Sequence, residues 1–186
     1  MAVKTMAKNT GTGQYNAGWH ELTISKAVDG KWNDKRTIDL NFENYPDNMR
    51  HRVFEASNKT TGEEFKIANL FRYACAGIID VLNDPTGKNP VIQYDDEVTN
   101  LVGTRVNVLF VKETSTTDGK EYSRTFDLVP VVQETEHITW TDDDVARLKR
   151  NVEKQHAKRT ATTTNGVGTV TLDTTTTVTG DAEIPF

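Results

Sequence analysis

Several features that mark common protein classes are scarce or missing in this chain of 186 residues. It has a single cysteine, Cys75, which excludes an internal disulfide and a zinc site built on cysteines, and which fits a reducing compartment. No stretch approaches the roughly 20 apolar residues that a membrane-spanning helix needs. Residues 1–13 also lack the apolar run of a signal peptide. The sequence therefore predicts a cytoplasmic protein.

Motifs that would mark an enzyme are missing too. The four histidines are scattered, without zinc-binding spacing, and Gly87-Lys88 lacks the other residues of a phosphate-binding loop. Asp95, Asp96 and Glu97 could hold Mg²⁺ in a nuclease, although solvated loop carboxylates are far commoner. We therefore predict no catalytic residue, no metal and no cofactor, with a metal-dependent nuclease as the weakest alternative.

The chain has fewer basic than acidic residues. The formal net charge is −5, and residues 160–186 contain Asp173, Asp181 and Glu183 but no lysine or arginine. Since these three carboxylates account for −3, the rest of the chain carries −2. A body of this charge can bind nucleic acid only where its cations are concentrated on one face.

Alternation of apolar and polar residues predicts five strands. They cover residues 19–28, 35–43, 50–56, 104–112 and 121–132. The alternation is cleanest where Ile38, Leu40 and Phe42 are separated by polar residues. An Asp-Gly pair places the first turn at residues 29–34, and a second polar turn at residues 114–119 joins the last two strands.

Two helices are predicted. Residues 63–82 carry apolar side chains, including Phe71, at three- and four-residue spacing. A second helix, residues 141–159, opens on Thr141 and three aspartates and holds its lysines and arginines in its C-terminal half. The helix dipole favours that charge gradient, and a basic helix that contacts DNA is the alternative interpretation.

The order of these elements is three strands, a helix, two strands and a terminal helix. We therefore predict a mainly β protein with a five-stranded OB-fold barrel, in which one helix lies between strands three and four. Residues 1–17 are expected to be a flexible leader, 18–140 the barrel domain and 141–159 the C-terminal helix. Residues 160–186, rich in threonine, are expected to be a disordered tail, with a β-hairpin as the alternative.

Several of the predicted strands and turns carry a cation beside an aromatic residue. Residues two apart on a strand share a face, so a cation and a ring come to lie side by side. Single-stranded nucleic acid is held by rings that stack on bases and by cations that contact phosphates. The candidate binding residues are Lys31, Trp32, Lys35, Arg36, Arg50, Arg52, Phe54, Lys112, Lys120, Tyr122 and Arg124. Alternatively, Phe54 belongs to the core, and Arg50 and Arg52 pair with Glu43 and Glu55.

The last six residues, Asp181 to Phe186, combine two carboxylates with the sequence Ile-Pro-Phe. A ring and a main-chain carboxylate on Phe186 suit a pocket with an apolar floor and a basic rim. This tip resembles the tail of bacterial and phage single-stranded DNA-binding proteins, although their acidic run is longer. Tyr45-Pro46 and the run at residues 58–65 resemble small phage-encoded members of the family.

The resemblance implies an OB-fold protein that coats single-stranded DNA without sequence preference during phage DNA replication, recombination or repair, in the host cytoplasm. It also implies that replication and recombination enzymes dock onto the tail through Asp181, Glu183, Ile184, Pro185 and Phe186. The alternative is a module of the same fold that binds proteins and ignores DNA. No membrane partner is expected, and the sequence leaves the oligomeric state open.

Overall fold

The structure is a computed structural model that describes residues 15–82, 91–115 and 117–164. In chain order, its elements are β1 (Gly18–Trp32), β2 (Lys35–Phe42), β3 (His51–Phe54), α1 (Lys66–Ala74), β4 (Ile78–Leu82), β5 (Val91–Tyr94), β6 (Arg105–Thr114), β7 (Glu121–Pro130), β8 (Gln133–Glu134), β9 (Thr139–Trp140) and α2 (Asp142–Thr164). The main sheet has the order β3-β2-β1-β6-β7, and β4-β5 and β8-β9 form two small sheets. The prediction of a mainly β fold is confirmed.

The long strand β1 joins the two halves of the main sheet. Residues 18–23 pair with β6, and residues 24–32 pair with β2. The register shifts between Ile24 and Lys26, which leaves Ser25 as a β-bulge. A bulge bends its strand and increases the local twist, so the two halves of the sheet curve away from a common plane.

The main core lies between one face of this sheet and α1. Ile38, Leu40, Val106 and Val108 point to this core face and are fully buried. Leu70, Phe71 and other apolar residues of α1 pack against them. In α1 the backbone N–H groups of Ile67 and Ala68 donate to the Glu64 carboxylate (2.7 and 2.9 Å), which satisfies the first turn of the helix.

The two edge strands of the main sheet approach each other. Thr125 Oγ1 of β7 donates a hydrogen bond to the carbonyl oxygen of Arg50, next to β3 (3.1 Å). In the described residues, no strand ladder joins β3 to β7. Backbone pairing therefore does not close the sheet into a barrel.

The first turn is shorter than predicted. β1 continues through Asp29 and Gly30 to Trp32, and the connection to β2 is Asn33-Asp34, both with positive φ (47° and 64°). Asparagine and aspartate tolerate this left-handed conformation, which suits a two-residue hairpin turn. The Asp-Gly pair therefore lies within the strand, and placing the turn at residues 29–34 was wrong.

The prediction of one helix over residues 63–82 was also wrong. α1 ends at Ala74 because Cys75 is left-handed (φ 50°) and Gly77 follows with φ 62°. A side chain at Gly77 would lie 2.3 Å from the carbonyl oxygen of Asp95, so only glycine fits there. The chain then forms β4, whose β-branched residues suit a strand.

The C-terminal helix begins as predicted. Thr141 Oγ1 accepts a hydrogen bond from the backbone N–H of Asp144 (3.2 Å), which is an N-terminal cap. The helix extends to Thr164 instead of Arg159, so its last turn contains no basic residue.

Candidate functional site

The outward side of β1–β3 brings the largest group of predicted binding residues together. On β2, Ile38 and Leu40 are buried in the core, so residues of the other parity point away from it. The strand register extends this alternation to both neighbouring strands. We call this surface the outer β1–β3 face; it comprises Lys26, Val28, Gly30, Trp32, Lys35, Thr37, Asp39, Asn41, Arg50, Arg52 and Phe54.

Three large apolar side chains are exposed on the outer β1–β3 face. Trp32 is 56% exposed, Phe54 is 44% exposed and Val28 is 42% exposed. Gly30 leaves no side chain between Val28 and Trp32, and the register places Thr37 between Gly30 and Phe54. Flat apolar groups can therefore rest on this surface. The alternative that Phe54 belongs to the core is wrong.

Two arginines of this face share one carboxylate. Arg52 donates to both oxygens of Asp39 (2.5 and 2.7 Å), and Arg50 Nη1 lies 3.3 Å from the same side chain. The hydrogen bond from Arg52 lowers the pKa of Asp39, so this carboxyl stays ionised. The alternative that these arginines pair with Glu43 and Glu55 is therefore wrong.

The outer β1–β3 face carries an excess of positive charge. Its four cations, Lys26, Lys35, Arg50 and Arg52, accompany the carboxylate of Asp39, and Glu43 follows with the same parity one residue after β2. Within the described residues, the two lysines form no ion pair. An anionic ligand with flat apolar parts would therefore find complementary charge and contact surface here.

Two predicted residues of the same hairpin lie on its other side. Lys31 is directly opposite Arg36, and both have the parity of the core-facing Ile38. Arg36 donates to Asp29 (3.0 and 3.1 Å) and also contacts Asp96. These hydrogen bonds, that with Asp29 foremost, raise the pKa of the guanidinium. Lys31 and Arg36, which were predicted to bind DNA, therefore lie on the opposite side of the hairpin from Trp32.

The remaining predicted residues lie in the β6–β7 hairpin, at the opposite end of β1 from Trp32. Tyr122 is exposed, and its hydroxyl donates to Asp118 (2.6 Å), which raises the pKa of the phenol. Arg124 has an exposed guanidinium that pairs with Glu113 (2.5 Å). Lys120 is exposed as well.

Lys112 does not lie beside Arg124. It is opposite Ser123 in the register, on the other side of the hairpin, and its ammonium lies 3.9 Å from Glu121. Tyr122, in contrast, shares the face of Arg124 because the two residues are two positions apart. Lys112, which was predicted to bind DNA across the hairpin from Tyr122 and Arg124, therefore lies on the other side from them.

The sequence-based reasoning missed Lys26 and Val28. Both precede Trp32 by an even number of residues, so period-two alternation from Trp32 would have placed them on one face. The predicted turn at residues 29–34 hid this signal, because it ended the strand too early.

The outward side of the other half of the main sheet is covered by α2. Leu109, Val111 and Val129 of the sheet form a second buried cluster with Val152 of the helix. Trp19 packs against this cluster, and its Nε1–H donates to Glu153 (2.7 Å). Over this cluster α2 therefore covers the strands, whereas Tyr122 and Arg124 stay exposed farther along β7.

The acidic run at residues 95–97 makes local contacts. Asp95 accepts hydrogen bonds from the backbone N–H of Glu97 (3.2 Å) and from Asn100 Nδ2 (3.2 Å), and Asp96 contacts Arg36. In the described part of the chain, no group of three His, Cys, Asp or Glu residues is arranged to hold a metal ion.

The chain matches no protein-family model and no curated protein sequence. None of the helices within the described ranges combines the length and apolar character needed to span a membrane. The predicted tail-tip residues, Asp181, Glu183, Ile184, Pro185 and Phe186, lie outside the described residues, as does the predicted leader up to residue 14.

Proposed function

We propose that this protein binds single-stranded DNA without sequence preference on the outer β1–β3 face. The observation that carries the proposal is the exposure of Trp32 and Phe54 on one face with Lys35, Arg50 and Arg52. Unpaired bases offer their faces to such rings, whereas a duplex keeps its bases stacked inside. Cations along the same face neutralise phosphates, and neither contact depends on base identity.

We also propose that the main sheet is a variant of the OB fold. Three strands, a helix and two strands follow one another along the chain, with the hairpin β4-β5 inserted after the helix. β1 pairs with both β2 and β6, and α1 contacts β3, β6 and β7. The approach of Thr125 to Arg50 brings the two edges together, as an almost closed barrel requires.

On this proposal, the protein coats single-stranded DNA during phage replication or recombination and recruits enzymes through its tail. Deletion of the residues after Thr164, where α2 ends, is then expected to abolish the capture of replication enzymes and to leave DNA affinity equal or higher, because the removed segment is acidic. Weaker DNA binding by the truncated protein would contradict the assignment of the DNA site to the body.

Titration of the full-length protein with oligo-dT tests the DNA site. Trp32→Ala is expected to weaken binding roughly ten- to a hundredfold, since one stacked base contributes about 1–3 kcal/mol. Ile79→Ala is the matched control, because Ile79 is equally exposed but lies on β4. Wild-type protein that binds no oligonucleotide at micromolar concentration would overturn the proposal.

Fluorescence gives a second measurement in the same titration. Trp140 is buried and Trp19 is packed under α2, so quenching by bound bases is expected from Trp32. Trp32→Phe should keep most of the affinity and lose most of the quenching. Equal quenching in both proteins would place the bases elsewhere.

One observation favours the alternative function, a module that binds proteins. Ile79, Leu82 and Val91 are exposed on the small β4-β5 sheet, outside the outer β1–β3 face. Isolated exposed apolar residues are ordinary, but a cluster of them can mark a protein contact. A protein module would keep its protein partners after Trp32→Ala and lose them after Ile79→Asp. A DNA-binding protein would lose affinity for oligo-dT after Trp32→Ala and keep it after Ile79→Asp.

A further inference from the structure

A glycine interrupts the exposed apolar residues of the outer β1–β3 face. Gly30 lies between Val28 and Trp32 on this face of β1, and its φ is outside the left-handed region. Its backbone conformation therefore does not require glycine. Glycine inside a strand weakens the strand and often marks a place where a ligand approaches the backbone closely. The reason for glycine at this position therefore lies outside the local backbone geometry.

The space over Gly30 is open. A Cβ atom at this position would lie 3.1 Å from Thr37 Oγ1. Among the described residues other than its chain neighbours, the next atom within 4 Å is the carbonyl oxygen of Thr37, at 3.9 Å. Trp32 and Val28 flank this space without entering it. We call the space over Gly30, with the Thr37 hydroxyl beside it, the Gly30 notch.

The hydroxyl of Thr37 is the polar group of the notch. Thr37 lies directly opposite Gly30 in the strand register and is 3% exposed. Within the described residues its Oγ1 forms no hydrogen bond, yet it is not fully sealed from solvent. A hydroxyl with so little access to water gains from a partner that a ligand supplies. The notch therefore offers one hydrogen-bonding group next to an exposed indole.

A base stacked on Trp32 would stand on its edge in the notch. Side chains on a strand stand roughly perpendicular to the sheet, and Trp32 and Val28 are about 13 Å apart at roughly 3.3 Å per residue. A base in contact with the indole, at about 3.5–4.0 Å, therefore lies over Gly30. Its lower edge then meets Thr37 Oγ1, and a side chain at residue 30 would obstruct it.

We propose that the Gly30 notch receives the Watson–Crick edge of one unpaired base, with the Thr37 hydroxyl as its polar contact. This inference rests on the proposed function, since it assigns a subsite within the outer β1–β3 face. A hydroxyl both donates and accepts hydrogen bonds. The Watson–Crick edge of each base offers a donor and an acceptor, so the notch takes all four bases. In a duplex this edge is already paired, and the notch therefore selects for single strands.

A modified probe tests this inference on the full-length wild-type protein. The probes are an oligo-dT of about 8 nucleotides and the same oligonucleotide with N3-methylthymine at every position. The methyl group blocks the Watson–Crick edge and leaves the ring face and the phosphates in place. The methylated probe is expected to bind about two- to tenfold more weakly, the factor that one hydrogen bond contributes. Equal affinity for the two probes would overturn the inference.

Thr37→Val removes the hydroxyl and keeps the shape of the side chain. It is expected to weaken binding of oligo-dT about two- to tenfold and to bind both probes about equally. Thr37→Ser keeps the hydroxyl and should still distinguish the probes. Thr139→Val, the same change on β9, is the matched control and should bind as the wild type does. A Thr37→Val protein that still prefers the unmodified probe would contradict the role of the hydroxyl.

The melting temperature separates binding from folding in these variants. Thr37→Val should melt at the wild-type temperature or above it, because the hydroxyl has no partner within the described protein. Gly30→Ala fills the notch and is expected to weaken oligo-dT binding roughly tenfold or more, since the base loses its hydrogen bond and its place beside Trp32. Unchanged affinity in a folded Gly30→Ala protein would show that no base enters the notch.

Failure of the proposed function has a different signature. If the wild-type protein binds neither probe, the proposed function and this inference fall together. If it binds both probes equally and Trp32→Ala weakens both by the same factor, bases stack on the outer β1–β3 face and the inference alone is wrong.

Discussion

The two halves of the main sheet differ in how far their outward side is covered. Where α2 covers β6, β7 and the start of β1, apolar residues of the sheet are buried, and Val129 is only 1% exposed. Over β1–β3, Val28, Trp32 and Phe54 remain exposed. Burying an aromatic or aliphatic side chain contributes about 1.5–3 kcal/mol, so a fold that leaves two rings uncovered forgoes that stabilisation. The uncovered half is therefore where a ligand is expected.

Two tryptophans of β1 show the same contrast. Trp19 has a hydrogen bond from its Nε1–H to Glu153 and the ammonium of Lys149 over its ring (5.4 Å to the centroid). Within the described residues, Trp32 has neither kind of partner. An indole N–H and ring faces without protein partners are available to a ligand, which is what a stacking platform requires.

The largest expected effect is on the free energy of unfolding and comes from the core-facing side of β3. His51 points to the core and is buried, whereas Arg52 points outward. Burial lowers the pKa of His51 to about 4, with Asp127 opposing and Lys66 reinforcing the shift. Between pH 6.5 and 4 the unfolded chain binds more protons than the folded one, so stability falls as the pH falls. The loss amounts to roughly 3 kcal/mol over this range.

Urea unfolding at several pH values measures this loss. His51→Gln has no titrating ring, so its stability should decline less steeply than that of the wild type between pH 6.5 and 4. His137→Gln is the control, because His137 is only partly buried. Identical pH slopes for the wild type and His51→Gln would show that the ring is not held neutral by the core.

The next effect compares one substitution on the two halves of the outward side. Val129→Ala removes two methyl groups from the cluster under α2 and is expected to cost about 1–2 kcal/mol. Val28→Ala makes the same change on the outer β1–β3 face and should alter the free energy of unfolding by less than about 0.5 kcal/mol. Chemical denaturation of both variants tests the contrast. Equal losses would mean that the outer β1–β3 face is packed as a structural surface.

The sequence predicted the principal strands because alternation is a local property. Ile38, Leu40 and Phe42 specify β2 and its core face without reference to any other element. The end of α1 depends on a distant contact: Gly77 fits against the carbonyl of Asp95, which periodicity does not reveal. The helix was therefore predicted too long, and β4 was missed.

The candidate site follows the same rule. Trp32 and Phe54 could be proposed from composition and parity, since each stands beside cations on its strand. The sequence could not show that Arg36 and Lys112 lie outside the site. Their partners, Asp96 and Glu121, are brought to them by the strand register and by the path of the chain between elements. The cover that α2 provides is also a tertiary property, so Val129 and Val28 look alike in the sequence.

The smallest expected effect is on DNA affinity and tests the charge difference between the two halves of the sheet. Asp39 is the carboxylate of the outer β1–β3 face that engages both Arg50 and Arg52. Asp39→Asn releases both guanidiniums and removes one negative charge, so affinity for oligo-dT is expected to rise about threefold at low salt, by less than 1 kcal/mol. The gain should vanish at high salt, because exposed charges are screened there.

Glu21→Gln is the matched control, because it removes an ion-paired carboxylate from the covered half, where Glu21 lies 2.7 Å from Arg105. Both variants change the net charge by one, so a general electrostatic attraction would raise affinity equally in both. A local site predicts tighter binding in Asp39→Asn alone. Since guanidiniums that release a carboxylate can take a phosphate in the same bidentate geometry, an unchanged affinity of Asp39→Asn would mean that the DNA backbone does not pass over Arg50 and Arg52.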